Sequence, residues 1–207
     1  MSEETIAGVA WLISAMTRDL TAIGGEGVSI ALSRLAEQDM AASAFREPEP
    51  RTLPACTWLA ETIAATMMVS PSVSAALAEI APHLRWKQNS NYSDELLGEG
   101  YMASYAYSEF IGSDGFYPGD DFLMGLLLLG PNRTYKDHAH PAPEIYWTLT
   151  GPSLWRHAPG EFAARPAGSV IWHAPGMIHA TRTQDEPLLA LWIWTQDTSY
   201  PARLVDA

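Results

Sequence analysis

Two histidines and one carboxylate lie close together in the second half of the chain, and a third histidine follows them. His138, His140 and Glu144 fall within seven residues, and His179 follows after a segment long enough to return along a barrel. Imidazole nitrogens and a carboxylate oxygen form the ligand set of catalytic first-row transition metals. The spacing therefore predicts a site for one divalent transition metal ion, and Fe, Zn, Mn, Co and Ni all remain open.

These side chains share one face if the segment is extended. Residues two apart in a strand point in the same direction, which places His138, His140, Glu144 and Tyr146 together. A buried polar group costs free energy unless a partner satisfies it, and a metal would satisfy this set. We expect a neighbouring strand to present His179 after the turn at 174–176. His138 is either a fourth ligand or a neighbour that orients His140.

The other histidines are not expected to bind the metal. His173 lies on the turn before His179, and His83 and His157 are expected at the surface or in structural roles. Cys56 is the one cysteine, so no intramolecular disulfide can form, and we interpret it as a buried small apolar residue.

The composition describes a chain large enough for a substantial core and strongly acidic overall. It has 207 residues, of which 47% are hydrophobic, and a formal net charge of −12. Nucleic acid and an anionic membrane surface are therefore not expected as partners, because both need clustered cations. No membrane-spanning run and no signal peptide are expected, so the cytoplasm is the predicted location.

The two halves of the sequence differ in composition and in the spacing of apolar residues, and together they predict an α+β fold. Residues 1–95 contain four segments with helical spacing of apolar residues, which indicates an N-terminal helical bundle. Residues 96–207 contain short runs of β-branched and aromatic residues between Gly and Pro turns, which indicates a sandwich or barrel. The predicted strands are 101–107, 122–129, 144–149, 169–172, 179–183 and 188–195.

The segment around the histidines resembles the first conserved motif of the cupin superfamily. That motif is a glycine, a His-x-His pair, a glutamate and a closing glycine. It is matched by Gly130, His138, His140, Glu144 and Gly151, with a gap after Gly130 that is two residues longer than usual.

The second cupin motif is matched by Gly168, Gly176 and His179. Pro175 is displaced by one position, and Thr183 stands where the family has asparagine. The resemblance covers about residues 120–197 and implies that 96–207 form a cupin β-barrel, that is, a double-stranded β-helix or jelly-roll. It implies a metal site and leaves the reaction open, because cupins support many chemistries.

Residues 135–146 are similar to the cupin-type dimethylsulfoniopropionate (DMSP) lyases. The family pattern Tyr-x-x-His-x-His-x-x-x-Glu-x-Tyr is matched by Tyr135, His138, His140, Glu144 and Tyr146. The helical first part and the total length also agree with that family. The resemblance implies a carbon–sulfur lyase that cleaves DMSP, a small sulfonium carboxylate, to dimethyl sulfide and acrylate.

The same resemblance implies roles for individual residues. The metal, acting as a Lewis acid, would take the substrate carboxylate, and Tyr146 would remove the Cα proton, with Tyr135 orienting the substrate or sharing that role. The sulfonium group suits aromatic faces, and Trp172, Trp192 and Trp194 are the predicted substrate-binding residues.

Two other functions stay open on sequence grounds. The first is a different metal cupin enzyme, an isomerase or a dioxygenase, that acts on another small carboxylate. The second is a non-enzymatic cupin sensor of a small ligand. A homodimer is one option for the oligomeric state, and the polar, glycine-containing segment 89–100 is a candidate lid.

Overall fold

The first part of the chain is helical, as predicted. The structure, a computed structural model, describes residues 3–205. The four expected helices are α1 (Glu3–Ile23), α2 (Val28–Ala36), α3 (Leu59–Thr66) and α4 (Pro71–Ile80), with 3₁₀ turns at Pro54–Trp58 and Ala81–His83. Two further short helices are α5 (Asp94–Leu97) and α6 (Tyr101–Ser104).

Local residues explain where the main helices begin and end. Gly24 follows α1 with a φ of 67°, a left-handed conformation that glycine adopts without steric cost. Ser70 caps α4, because its Oγ accepts a hydrogen bond from the Val73 N–H at 3.1 Å. Pro71 takes the first helical position, where no N–H is needed.

Helix α1 has an apolar face that belongs to the protein core. Val9, Leu12 and Met16 are fully buried, and α1 packs on α4. Within residues 3–205, α1 is the one helix whose length and composition would allow it to cross a membrane. A core helix meets the same criteria, so this property does not test the expectation that the chain lacks a membrane segment.

The second part of the chain forms two antiparallel sheets. The strands are β1 (Trp86–Lys87), β2 (Tyr105–Ile111), β3 (Leu123–Leu129), β4 (Thr134–Ala139), β5 (Glu144–Thr148), β6 (Ser153–His157), β7 (Ala163–Arg165), β8 (Val170–His173), β9 (His179–Thr183), β10 (Leu188–Trp194) and β11 (Arg203–Leu204). The six-stranded sheet has the order β1-β2-β3-β10-β5-β8, and the five-stranded sheet has the order β11-β4-β9-β6-β7. The predicted α+β fold with a cupin β-barrel is confirmed.

Most predicted strands coincide with observed ones, but several strands were not predicted. The first predicted strand, 101–107, is wrong at its start, because residues 101–104 form α6 and extended structure begins at Tyr105. The strands β1, β6, β7 and β11 were missed, and β4 was considered only as an extended segment around His138. Strand β1 pairs with β2, although it lies before the predicted domain boundary at residue 95. The boundary itself stays a prediction.

The six-stranded sheet is buried on both faces. Along β5, Ile145 and Trp147 belong to the apolar core shared with the helices, whereas Tyr146 belongs to the core of the barrel interior. Strand β10 alternates in the same way, with Ile193 on the helical side and Trp192 inside the barrel. A sheet covered on both faces needs continuous apolar strands, which explains the uninterrupted runs of β3 and β10.

Gly27 is a position where the helical part and the barrel meet closely. It precedes α2 with a φ of 79°, and a Cβ atom at this position would overlap the ring of Trp172 on β8. Gly24 has a similar φ of 67°, but a Cβ atom there would meet nothing within 4 Å. The two glycines therefore separate backbone strain from the cost of steric overlap.

We predict that Gly27→Ala lowers the free energy of unfolding by about 2–5 kcal/mol, because the strained φ adds to the displacement of Trp172. Gly24→Ala, the matched control, carries the backbone strain alone and should cost about 1–2 kcal/mol. Urea denaturation followed by tryptophan fluorescence measures both. Equal losses for the two variants would show that the Trp172 contact contributes nothing.

Candidate metal centre and active site

The predicted ligands converge inside the barrel, between the two sheets. His138 lies on β4, His140 follows that strand, Glu144 begins β5 and His179 begins β9. Strand pairing brings them together, since His138 lies opposite His179 in the β4–β9 register. All four residues are at most 4% exposed, which is unusual for three histidines and a carboxylate.

Backbone carbonyls set the orientation of three imidazoles. The Nδ1 atoms of His138, His140 and His179 lie 2.8 Å from the carbonyl oxygens of Lys136, Ala142 and Met177. A carbonyl can only accept a hydrogen bond, so each Nδ1 carries a proton and donates it. Each Nε2 is therefore the nitrogen available to a metal, which is the arrangement common among histidine ligands.

Two of these Nε2 atoms face the carboxylate of Glu144. The distances to Glu144 Oε2 are 3.1 Å from His140 Nε2 and 3.4 Å from His179 Nε2. The ligand atoms of His140, Glu144 and His179 lie within 4.8 Å of one another. Lone pairs this close need a positive charge between them, supplied by a proton on an imidazole or by a metal ion. The donor set and its geometry fit a divalent transition metal.

Burial and mutual contacts set the protonation states of Glu144 and His138. Burial alone would raise the pKa of Glu144, but His140 and His179 beside it hold this pKa well below its usual value. Burial, and then the neighbouring His179, lower the pKa of His138 well below its usual value. Glu144 is therefore anionic and His138 neutral at pH 7, which are the states that bind metal.

His138 occupies a different position from the three converging residues. Its ring stacks on Tyr135 with centroids 3.7 Å apart, and it meets the edge of His179 at 4.1 Å. It is not part of the group of converging ligand atoms, whose members are His140, Glu144 and His179. The two predicted roles of His138, a fourth ligand or a neighbour that orients His140, stay predictions.

Trp194 holds two of the candidate ligands. Its Nε1–H donates a hydrogen bond of 2.7 Å to Glu144 Oε1, and its ring stacks on His140 at 4.2 Å. Strand pairing explains the contact, because Trp194 lies opposite Glu144 in the β10–β5 register. Trp194 thus fixes the carboxylate so that Oε2 remains for the histidines.

A cavity of about 800 Å³ opens beside the cluster and carries most of the predicted functional residues. Its lining includes Glu144, Tyr135, Tyr146, Trp192 and Trp194. The cavity thus brings together the predicted acidic ligand, both predicted catalytic tyrosines and two of the three predicted substrate-binding tryptophans.

The prediction for Trp172 disagrees with its position. Its side chain lies on the outer face of the six-stranded sheet, against Gly27 and the helical core, and not in the cavity lining. Residues alternate along β8, so Ile171 and His173 point inward and Trp172 points outward. The prediction for Trp172 rested on its aromatic side chain, and residue type carries no information on side-chain direction.

The two candidate tyrosines differ in their partners. Tyr135 shares a hydrogen bond of 2.7 Å between its hydroxyl and that of Tyr92. Burial, and then the nearby tyrosines, raise the pKa of Tyr135 well above its usual value. For Tyr146, burial and then the charge of Glu144 raise the pKa in the same direction. Both phenols are protonated at neutral pH unless a positive charge is added nearby.

Sequence reasoning missed several residues of the site. Tyr105 and Tyr107 line the cavity from β2, and Lys87 over the Tyr107 ring forms a 3.0 Å ion pair with the buried Glu109. The sequence signal for Tyr105 and Tyr107 was their spacing of two residues within 101–107, which we interpreted only as evidence for a strand. Lys87 had no such signal, because β1 was not predicted.

His173 also lies beside the candidate ligands, which was not predicted from the sequence. Its ring stacks on His179 at 3.8 Å, and it lies opposite Glu144 in the β5–β8 register. Both ring nitrogens are buried without a hydrogen-bond partner in the described part of the chain. The predicted strand 169–172 ended one residue before it, so its inward direction was not recognised.

The candidate lid, 89–100, contributes two residues, Asn89 and Ser90, to the cavity lining. Asn89 Nδ2 donates a hydrogen bond of 2.9 Å to the carbonyl of Ala202, which also lines the cavity. Movement of the segment stays a prediction.

The fold and the site together define a cupin-type β-barrel with a candidate His/His/Glu metal centre. Residues 28–190 match the family model described as dimethylsulfoniopropionate lyase. The chain therefore belongs to the dimethylsulfoniopropionate lyase family, a family of carbon–sulfur lyases.

Two curated relatives carry the same family name. The chain is 31% identical over 125 residues to the provisionally named DMSP lyase DddL of Cereibacter sphaeroides, covering 59% of this chain and 50% of that protein. It is 32% identical over 109 residues to the DMSP lyase DddQ of Ruegeria pomeroyi, covering 51% of this chain and 53% of that protein. The chain thus spans about half the length of the curated relatives it matches.

Solved structures extend the similarity of fold over almost the whole chain. A structure reported with the DMSP lyases RdDddP and RnDddQII has a TM-score of 0.75 at 19% identity, covering 98% of this chain and 100% of that chain. DddQ from Ruegeria pomeroyi has a TM-score of 0.69 at 22% identity, covering 99% of this chain and 98% of that chain. At these identities the structures support the fold alone.

We predict that Glu144→Gln weakens binding of Zn²⁺ or Mn²⁺ by about 100-fold, because the cluster loses its only anion. Trp194→Phe should weaken the same binding by about tenfold, because the Glu144 carboxylate loses the hydrogen-bond donor that orients it. Affinity of the unmodified chain should also fall as pH decreases, because protons compete for the imidazoles. Competition with a fluorescent chelator measures both effects. His83→Gln, outside the cluster, is the control, and full affinity in Glu144→Gln would contradict this site.

Proposed function

We propose that this protein is a metal-dependent lyase that cleaves DMSP to dimethyl sulfide and acrylate. The observation that carries the proposal is the His140, Glu144 and His179 cluster beside Tyr146, in a chain of the DMSP lyase family. His140, Glu144 and His179 would hold the metal, with His138 as a further candidate. When bound, the metal supplies Lewis acidity that polarises the substrate carboxylate.

Tyr146 is the proposed base. It lies two residues beyond Glu144 on the same face of β5, and it lines the cavity. Its hydroxyl proton must leave before it can accept another, and burial and Glu144 oppose this loss by raising its pKa. Positive charge at the adjacent ligand cluster favours the phenolate.

The reaction needs one proton transfer and one bond cleavage. The Tyr146 phenolate takes the Cα proton, the electrons of that C–H bond form the Cα=Cβ double bond, and the Cβ–S pair leaves with sulfur. The positively charged sulfur becomes neutral dimethyl sulfide, so no acid is needed for its departure. The remaining fragment is acrylate.

Aromatic rings would receive the sulfonium end of the substrate. Trp192 and Tyr107 line the cavity with ring centroids 6.1 Å apart, roughly perpendicular to each other. Each aromatic face attracts a cation with about 0.5–2 kcal/mol, depending on how much water is excluded. This attraction fades as sulfur becomes neutral, which favours release of dimethyl sulfide.

The family match favours the lyase over the two alternatives, an isomerase or dioxygenase acting on another carboxylate and a ligand sensor. Cytoplasmic location, a homodimer and the lack of nucleic-acid or membrane partners stay predictions from the sequence.

The test of the proposed function is headspace dimethyl sulfide measured from metal-loaded protein given DMSP without oxygen. We expect dimethyl sulfide and acrylate in equal amounts, since elimination consumes no O₂. No dimethyl sulfide with any of Fe, Zn, Mn, Co or Ni would overturn the lyase function. Turnover that requires O₂ would instead support a dioxygenase.

Tyr146→Phe should lower kcat about 100- to 10,000-fold while metal content stays unchanged, because only the phenolic oxygen is lost. Tyr101→Phe is the matched control, since Tyr101 is also a buried tyrosine and does not line the cavity. Its hydroxyl has no hydrogen-bond partner in the described part of the chain. We expect this variant to retain full activity. A larger loss in Tyr135→Phe than in Tyr146→Phe would transfer the base role to Tyr135.

A further inference from the structure

A second concavity lies on the outer face of the five-stranded sheet, away from the cavity of the proposed active site. Its volume is about 630 Å³, and it lies among β4, β6, β9 and β11. We name it the basic groove, and its polar and aromatic lining is Asn91, Thr134, Lys136, Asp137, Arg156, Phe162, Arg182 and Arg203.

The charge of the basic groove opposes the charge of the whole chain. The chain has 24 acidic and 12 basic side chains. Four of these basic side chains line the groove, and Asp137 is the one acidic residue among the lining. The groove is therefore a local positive region on an acidic protein, where an anion would be concentrated against the overall field.

Neighbouring residues hold two of the guanidinium groups in place. Arg156 and Arg182 both lie over the Phe162 ring, with Cζ atoms 4.8 and 4.3 Å from its centroid. Arg182 Nε donates a hydrogen bond of 3.1 Å to Thr134 Oγ1, and Arg156 pairs with Asp137. Because these side chains are already ordered, a ligand would bind them with a smaller loss of conformational entropy.

The groove retains unused hydrogen-bonding capacity. Arg156 Nε is buried and has no partner within residues 3–205. The Arg203 side chain forms no hydrogen bond or ion pair within the same residues, although its backbone belongs to β11, and the Arg182 side chain donates only from Nε. Lys136 Nζ donates only to the Leu96 carbonyl, at 2.6 Å. These donors match an anion with several oxygens and more than one negative charge.

We propose that the basic groove binds a small molecule that carries a phosphate group. Guanidinium groups bind oxyanions through paired hydrogen bonds, and the excess of four cations over one carboxylate favours a doubly charged phosphate over a monovalent carboxylate. The volume exceeds that of one phosphate, and Leu96, Ala180 and Leu204 supply apolar walls for an attached organic group. The site is separate from the proposed lyase chemistry and does not depend on it.

The experiment is isothermal titration calorimetry of the metal-loaded protein with inorganic phosphate and with AMP as a phosphate monoester. Both should bind, and the double variant Arg182→Gln/Arg203→Gln should bind each at least about tenfold more weakly, because two charged donors are lost. Tighter binding of AMP would indicate that the organic group is recognised, and equal binding would indicate free phosphate as the ligand. Arg165→Gln, an exposed cation of the same sheet outside the groove, should leave both affinities unchanged.

Three results would overturn the proposal. The first is that neither probe binds. The second is that binding survives in the double variant, which would place the anion at the metal centre. The third is a salt-sensitive dimer in sedimentation that the double variant abolishes, which would make the groove a contact for an acidic surface of a second copy.

Discussion

The buried carboxylate of Glu144 is the constraint on which the interior of the barrel depends. One of its oxygens accepts a hydrogen bond from Trp194, and the other faces His140 and His179 at 3.1 and 3.4 Å. Burying an ionised carboxylate away from water costs free energy unless a positive charge lies beside it. The histidines direct Nε2 toward it, so a cation at this point satisfies all the partners at once.

The requirement for a polar interior explains why the barrel needs the helical part of the chain. Inward positions of β5 and β10 carry Glu144, Tyr146 and Trp194, so the inner face contributes less apolar burial than a normal core. The outward positions of the same strands are fully apolar and are covered by the helices. The helices therefore supply hydrophobic stabilisation that the site removes from the barrel.

The residues that bind or react were easier to predict than the residues that surround them. The expectation of one extended segment from His138 to Tyr146 was wrong, because β4 ends at Ala139 and β5 begins at Glu144, in the other sheet. His140 and Glu144 still converge, because the chain turns between the two sheets, whereas Glu144 and Tyr146 share a face of β5 as parity predicts. The same rule was not applied to β8, so Trp172 was placed inside and His173 was overlooked. Lys87 and Glu109 come from different strands, and only the register of the sheet joins them.

Competition for hydrogen bonds narrows the choice of base within this interior. His138, His140 and His179 each use Nδ1 on a carbonyl, and both oxygens of Glu144 are engaged. His173 has free nitrogens, but it does not line the cavity. Lys87 and Glu109 line the cavity, but they form an ion pair with each other. Of the two candidate tyrosines, Tyr135 has its hydroxyl held by Tyr92. Tyr146 is then the group that borders both the cavity and the ligand cluster, where a positive charge can stabilise its phenolate.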